Sequence, residues 1–401
     1  MPADNVALQP ADLDLVSVDR PITKKIVDIL ARSGPMDRKV LAAQIGVSRS
    51  TVSKAVGLLL DARMVVELDT RPRGRGRPES HLAVNPQIAS AIGLDFGLRH
   101  VRAAIVDAAH AILATAEVRL GIDYTLGEAI RSSLDLIDGL IEQASGPIVG
   151  VGLSLPGPMD RSTMALTRSS ILPGWANVPV LDLFERKLPF PVVADNESNL
   201  AADAERLWGI AADLDSMIYL KLHSGVGGAI VIRGEILRGQ RGAAGEFGHL
   251  SRGTRGERCR CGRRGCLEAS IGIPHLLDRL SAQLCRRVTF QEFVALHQQR
   301  DPCCVALIES AGKEAGRAIG TLANALDPEA IVVGGSLTQF GAPLLDAISA
   351  GMRTSALPMH DSLPIRTAAL GRFGSALGAT GLVMASGFDG LLTQRWADAG
   401  S

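Results

Sequence analysis

Residues 246–268 read EFGHLSRGTRGERCRCGRRGCLE and set His249, Cys259, Cys261 and Cys266 within 18 residues. One imidazole and three thiols are the donor set of a closed, four-coordinate zinc site. Cys-x-Cys-x4-Cys would supply three corners, and a histidine ten residues upstream the fourth. Glycines at 253, 256, 262 and 265 let the loop fold back so that the four side chains converge. The competing reading is three unrelated cysteines in a flexible loop. Four protein ligands leave no open position for water, so the expected ion is structural, not catalytic. Glu246 and Glu268 bracket the cluster and are left free for other chemistry.

A second polar group could join those two acids. Asn177 lies in Leu-Pro-Gly-Trp-Ala-Asn, and residues 195–199 read Asp-Asn-Glu-Ser-Asn. Together with Glu246, His249 and Glu268 these amides and carboxylates offer the paired hydrogen bonds that vicinal hydroxyls need. The plainer reading is that Asn177 and Asn199 satisfy backbone groups in turns and caps. Side chains so far apart in sequence can meet only in a cleft, and the pattern of elements predicts one. From residue 88 the chain turns rich in Ala, Gly, Val, Ile and Leu. Strands are expected at 91–96, 101–106 and 112–118, a helix at 126–144 and a strand at 147–154. A second copy follows, with strands at 216–222, 229–232 and near Glu235, a helix at 303–326 and a strand at 330–333. Duplication of this kind implies two similar α/β lobes. The turns Asp95-Phe96-Gly97 and 224–228 (Ser-Gly-Val-Gly-Gly) would face the cleft and, in a nucleotide enzyme, cradle phosphates. Tight turns need glycine regardless.

Acids and bases balance at 42 each, so overall charge names no partner. The distribution does. Residues 20–78 hold 13 Lys+Arg against 5 Asp+Glu, a local net of +8. A helical stripe at 22–32 ends at Gly34-Pro35. Asp37 can cap a short helix through Gln44, Ile45-Gly46-Val47 makes a turn, and Ser48 caps a third helix that buries Val52, Val56, Leu59 and Leu60. Helix, glycine turn, helix is the helix-turn-helix arrangement. The exposed start of its third helix offers Ser48, Arg49, Ser50, Thr51, Ser53 and Lys54 to phosphates and base edges. Residues 64–68 and 81–84 alternate like wing strands. Between them RPRGRGRP (71–78) carries Arg73, Arg75 and Arg77, which can follow a narrow groove. A solvated linker, and a module built for protein contacts, are the competing readings.

Residues 1–19 carry four Asp and no base, and read as a disordered leader. Cys285, Cys303 and Cys304 read as ordinary thiols. No apolar run reaches the length of a membrane span and no signal pattern opens the chain, so a cytoplasmic protein is expected.

At this point residues 22–390 resemble the ROK family of repressors, open reading frames and sugar kinases. The resemblance is most specific at Glu246-x-Gly-His249 followed by Cys259-x-Cys261-Gly-x-x-Gly-Cys266-x-Glu268. It implies an actin-like (RNase H-like) two-lobed sugar-kinase body with a structural Zn2+ loop, behind an N-terminal winged helix-turn-helix. The expected domains are 20–86 for DNA binding, 87–195 for the first lobe with a helix at 375–395 packing back on it, and 196–374 for the second lobe with the zinc loop at 249–268. The resemblance further implies that Asn177, Asn196, Glu246, His249 and Glu268 contact a monosaccharide, with Glu197 beside them, and that His249 holds the metal through one ring nitrogen while facing the sugar with the other. Two departures favour regulator over enzyme. The family's kinases carry Asn-Asp-x-Asn, with the Asp as general base. Here Asn196-Glu197-Ser198-Asn199 moves the carboxylate by about one bond length, and a misplacement near 1 Å costs on the order of a hundredfold. The kinases also carry Asp-x-Gly-Gly-Thr where this chain has Asp95-Phe96-Gly97-Leu98-Arg99, and Leu98 and Arg99 would crowd the phosphates. The expectation is therefore a sugar-responsive repressor of carbohydrate genes, without kinase activity. Its partners would be double-stranded operator DNA, a monosaccharide or sugar-phosphate effector, and further copies of itself in a homodimer or homotetramer, with no membrane. An active sugar kinase fused to a DNA-binding module is the alternative, and a body responding to a protein partner a third.

Overall fold

A computed structural model describes residues 10–69, 80–167, 169, 172–251, 253 and 256–399. Helices α1 (Pro10–Ser33), α2 (Arg38–Ile45) and α3 (Arg49–Asp61) precede an antiparallel hairpin of β1 (Val65–Asp69) and β2 (Ser80–Val84). Local chemistry sets these boundaries. Asp37 Oδ1 accepts the N–H groups of Lys39 and Val40 at 2.7 and 2.8 Å to open α2. Gly46 closes it at φ +80°, where a glycine carries no Cβ penalty. Ser48 Oγ accepts the Thr51 N–H at 3.1 Å to open α3. The buried face of α3 is Val52, Ala55, Val56 and Leu59, whereas Leu60, expected with them, is half-buried.

The helix expected at 22–32 is longer than its stripe. It starts at Pro10, so the leader expected to be disordered is helical from that residue onward. Proline suits a helix start, where its missing N–H has no partner anyway, and the interior Pro21 removes one hydrogen bond without ending the helix. Arg73, Arg75 and Arg77 lie outside the described residues.

The body opens with β3 (Ser90–Gly97), β4 (His100–Asp107), β5 (Ile112–Arg119), α4 (Leu126–Ile141) and β6 (Ile148–Leu155). The small hairpin β7 (Met159–Asp160) and β8 (Ala165–Leu166), then α5 (Val180–Glu185), β9 (Val192–Asn196) and α6 (Glu197–Leu207) follow. The second half runs β10 (Met217–Leu222), β11 (Val226–Ile232), β12 (Glu235–Ile236), α7 (Leu267–Ile271), α8 (Ile273–Gln283), α9 (Phe290–Gln298), α10 (Pro302–Leu326), β13 (Ala330–Gly334), α11 (Ala342–Met352), β14 (Ile365–Thr367) and α12 (Gly374–Ala399). Strand order is β5-β4-β3-β6-β9 in one sheet and β12-β11-β10-β13-β14 in the other. Each sheet is an antiparallel meander extended by two parallel strands, so the duplication in the sequence is a duplication of topology. Register brings polar ends level: Asp95 faces Ser154, and Ser154 faces Asp195. In the second sheet Lys221 lies between Gly227 and Gly334. Ligands of such sheets bind beyond these carboxyl ends.

Helix α12 covers the first sheet and packs on α6. Gly93 and Gly152, paired across β3 and β6, admit the carbonyls of Ala376 and Ala379, where any Cβ would overlap them. On the other side Gly378 meets the Leu200 carbonyl of α6. A helical glycine in open space, such as Gly139 of α4, should stabilise by up to about 1 kcal/mol when changed to alanine. Gly378→Ala should do the opposite and cost about 2–3 kcal/mol, because the added methyl meets backbone that cannot rotate away. Urea midpoints of the two variants measure the sign difference.

The N-terminal module does not have a core to itself. Ile26, Leu30, Val52, Leu59 and Leu82 share one buried apolar cluster with Ala91 and Val106 of the first sheet, Ala204 of α6 and Leu377 of α12. Among the described residues no helix is long and apolar enough to cross a membrane.

Candidate functional site

Four donors converge where the second lobe's long loop folds back. Phe247, Gly248 and His249 form a single 3-10 turn, and Cys266 is the N-cap of α7. Between them Gly262 and Gly265 turn the chain at φ +93° and +71°. Short bridges from Ser251 to Cys266 and from Arg258 to Arg264 pin the loop. The ligand atoms of His249, Cys259, Cys261 and Cys266 all lie within 4.8 Å of one another. His249 Nδ1 is 3.6 Å from Cys259 Sγ, and Cys261 Sγ is 3.5 Å from Cys266 Sγ. A tetrahedral ion with bonds of about 2.0 Å to nitrogen and 2.3 Å to sulfur has edges of roughly 3.5–3.8 Å, so the donors already stand at coordinating separations. Burial, with Cys261 and Cys259 alongside, pushes the Cys266 thiol up to about 12. A cation is what would hold such thiols as thiolates at neutral pH. The cluster can hold a metal ion, and its four protein donors fill a tetrahedron.

With Nδ1 turned to the thiols, the other nitrogen of His249 points away from them, and Nε2 is 3.8 Å from Glu246 Oε2. It faces a cavity of about 630 Å³ whose polar lining includes Asn196, Glu197, Glu246, His249, Arg260 and Glu268. Glu268 is buried and its Oε2 accepts the Val226 N–H at 3.2 Å. Burial, then the charges of Glu268 and Glu197, push the Glu246 carboxyl up to about 7. Asn196 holds the cavity floor: its Oδ1 accepts the Ser198 N–H at 2.8 Å as the cap of α6, and its Nδ2 donates to the Gly157 carbonyl at 2.8 Å. Five of the six residues expected around a sugar therefore line one cavity. The sixth, Asn177, does not. It is exposed at φ +57°, its N–H donates to the Leu166 carbonyl at 2.8 Å, and it is outside the lining. It sits in a turn, and asparagine tolerates this left-handed region better than most residues. Ser169 and Arg260 also line the cavity and were not singled out from sequence. Arg260 carried one signal, its place between Cys259 and Cys261, and Ser169 carried none.

Glu197 is shared with a second chamber of about 250 Å³, lined by Asp95, Leu98, His100, Arg102, Lys221 and His223 among others. Ion pairs fill it. Lys221 Nζ is 2.7 Å from Glu197 Oε2. Asp95 accepts Ser154 Oγ–H at 2.8 Å and faces His100 at 3.5 Å and Arg102 at 3.9 Å. Arg102 and Arg372 both reach Glu117, at 3.5 and 3.3 Å. Burial alone would raise the Asp95 carboxyl, but the His100 hydrogen bond, the Lys221 charge and Ser154 bring it below the usual carboxylate range. Burial drives His223 down to about 3, so it stays neutral. Arg99, expected to crowd this turn, is exposed and outside the lining. Gly97 pairs with His100 across the β3–β4 hairpin, so Leu98 and Arg99 form the tip and His100 is the side chain carried back over Gly97.

At the other end of the chain, Ser48, Arg49, Ser50, Ser53 and Lys54 are exposed and Thr51 half-exposed along the start of α3, opposite its buried face.

Comparison with known proteins bears on both ends. The xylose repressor of Bacillus spizizenii is 25% identical over 367 residues, covering 90% of this chain and 94% of the repressor. A glucokinase of Halalkalibacterium halodurans is 31% identical over 271 residues, covering 62% of this chain and 82% of the kinase. Among solved structures, a ROK family transcriptional regulator described as a homolog of the Escherichia coli MLC protein superposes with a TM-score of 0.79 at 22% identity, over 94% of this chain and 98% of that one. That likeness extends the actin-like, sugar-kinase type of body through the N-terminal module as a matter of fold. The sequence model of the ROK family matches residues 91–386, which takes in both sheets, the cavity and the cysteine cluster, and the protein belongs to that family.

Proposed function

We propose that this protein is a sugar-responsive transcriptional regulator that represses carbohydrate uptake or catabolism genes. In this reading α1–α3 and the β1–β2 hairpin are a winged helix-turn-helix. Ser48, Arg49, Ser50, Thr51, Ser53 and Lys54 enter the major groove of a double-stranded operator, and Arg73, Arg75 and Arg77 follow the backbone from the wing. A homodimer or homotetramer would set two recognition helices about one DNA turn apart. Asn196, Glu197, Glu246, His249 and Glu268 bind a monosaccharide or its phosphate. The ion is zinc, suited to three thiolates and an imidazole. It performs no chemistry and fixes the ring of His249 toward the ligand.

The observation that carries this reading is the Lys221–Glu197 ion pair. A general base must take the proton of the sugar hydroxyl. Here the Lys221 ammonium occupies Glu197 Oε2 at 2.7 Å, where a base would have to meet that hydroxyl, and the cations beside it are committed to Asp95 and Glu117. The body keeps what binds and blocks what transfers. Coverage agrees, because the xylose repressor aligns over 90% of the chain and the glucokinase over 62%. The 31% identity to that glucokinase favours, as a second reading, an ATP-dependent sugar kinase joined to a DNA-binding module. Turnover at roughly 1–100 per second with ATP, Mg2+ and a sugar would establish it over the regulator.

The direct test is fluorescence anisotropy on DNA from the protein's own promoter region, titrated with free sugars and sugar phosphates. One of them should shift the operator Kd by about tenfold or more. Arg49→Ala and Lys54→Ala, both exposed on α3, should each weaken operator binding about tenfold and leave sugar binding intact. Where the lost contact is to phosphate, the salt slope should fall by about one. Wild-type DNA affinity in both variants would remove α3 from the interface.

A further inference from the structure

Helix α6 begins in the ligand cavity and ends against the apolar cluster that also holds residues of α1. Its cap Asn196 and first residues Glu197 and Ser198 line the cavity. About 16 Å away, at 1.5 Å per residue, Trp208 ends it. Trp208 Nε1 donates to the His110 carbonyl at 2.6 Å, and the two rings lie 5.4 Å apart. Trp208 packs against, and Ala204 belongs to, the apolar cluster that contains Ile26, Val27 and Leu30 of α1. Between its ends the helix is clamped. The buried Glu205 carboxylate accepts the N–H groups of Ile210 at 3.0 Å, Ala369 at 3.0 Å and Leu370 at 2.9 Å. Ser375 donates to the Glu197 carbonyl at 3.1 Å, so α6 and the start of α12 are one body.

Charge follows the same line. Asp195, one residue before the cap, pairs with Arg238 of the second lobe at 2.7 Å. Two turns along α6, burial raises the Asp203 carboxyl while Arg206, Arg238 and Arg32 of α1 oppose that rise. One carboxylate on α6 thus senses a cation tied to the cavity edge and another on the DNA module.

We infer that α6 is the element through which occupancy of the cavity reaches the DNA module, moving as a rod whose displacement at Asn196–Ser198 is delivered through Trp208 to His110 and α1. Trp208 is then a positioning residue that touches neither ligand. The inference rests on the sensor reading above for its biological meaning, but its mechanics can be tested apart from it. The quantity that decides it is the coupling between sugar and DNA binding.

Two arms use the full chain. In the first, D-glucose, D-xylose and their phosphates are titrated against promoter DNA. In Trp208→Phe the affinities for sugar alone and DNA alone should stay within about threefold of wild type, while the sugar-induced shift falls from about tenfold to under about threefold. A full shift in a variant that melts like wild type overturns the inference. The second arm needs neither sugar nor DNA. Asn196→Ala uncaps α6, and deuterium exchange across residues 23–33 of α1 should quicken about threefold in the wild-type background and stay unchanged when Trp208→Phe is also present. Equal quickening in both backgrounds, or none in either, overturns the rod. If no sugar shifts DNA binding, the sensor reading fails while the exchange arm still decides the mechanics.

Discussion

Cys261→Ala is expected to strip the metal from the loop, destabilise the second lobe and abolish the ligand response. Three remaining donors bind a divalent ion far more weakly than four, because the closed tetrahedron is what holds structural zinc. Among its described residues the loop is otherwise held by a few backbone hydrogen bonds and little apolar packing. Its buried apolar cluster is only Cys259, Cys266 and Ala269, with Cys261 packed against it, and its regular pairing is two isolated bridges. Metal binding at such sites is worth about 10–16 kcal/mol in isolated peptides, so even a fraction of that sum is large beside the loop's few hydrogen bonds and small apolar cluster. The loss then reaches the cavity. Without an ion at Nδ1 the His249 ring is free to turn, and Nε2 leaves its position 3.8 Å from Glu246. Losing an orienting shell costs about 10–100-fold in affinity, and here the ring itself lines the cavity proposed to take the sugar. Metal content by plasma mass spectrometry should fall from one ion per chain to none. Urea unfolding should lose about 3–5 kcal/mol, and calorimetry should detect no sugar binding. Normal sugar binding by metal-free Cys261→Ala would defeat the structural role.

Much of this site was legible because its signals are local. Cys259, Cys261 and Cys266 fall within eight residues, and the caps Asp37 and Ser48 sit one residue ahead of the helices they open. The twofold repeat of strands was legible through apolar periodicity. What escaped was set by contacts across the fold. Nothing in the segment around Arg102 announces Arg372, whose carbonyl accepts from it 270 residues away. Lys221 reads as one more strand residue until β10 brings it to Glu197. Asn177 carried a plausible amide in a plausible motif, and only its φ of +57° and its place at the surface assign it to a turn. Arg99 was expected in the phosphate turn because it is next in sequence. Strand alternation across the β3–β4 hairpin sent His100 there instead. The sharing of one core by the N-terminal module and the first lobe is likewise a property of packing, since each helix stripe shows that it buries a face and not what it buries it against.

The second large effect should come from Glu205, a carboxylate on α6 that is only 2% exposed and accepts three backbone N–H groups. One partner closes the turn after α6, and two belong to the segment that leads from β14 to α12. Hydrogen bonds to a charged acceptor are worth about 1.5–3 kcal/mol each, and stranding their donors in a dry site costs more than the bonds contribute. Glu205→Leu keeps roughly the volume and leaves the N–H groups of Ile210, Ala369 and Leu370 without their acceptor. It should lose about 4–6 kcal/mol, enough that soluble protein falls sharply. Glu205→Gln separates charge from contact. One amide oxygen can still accept, the NH₂ cannot, and the loss should be about half as large. Because the clamp fixes α6 to α12, Glu205→Gln should also loosen both helices together, with amide exchange rising across residues 198–207 and 374–384 in parallel. A Glu205→Leu variant with wild-type urea stability would mean that water reaches these three N–H groups, and that the Ser375–Glu197 hydrogen bond, the glycine contacts and apolar packing suffice to hold α6 to α12.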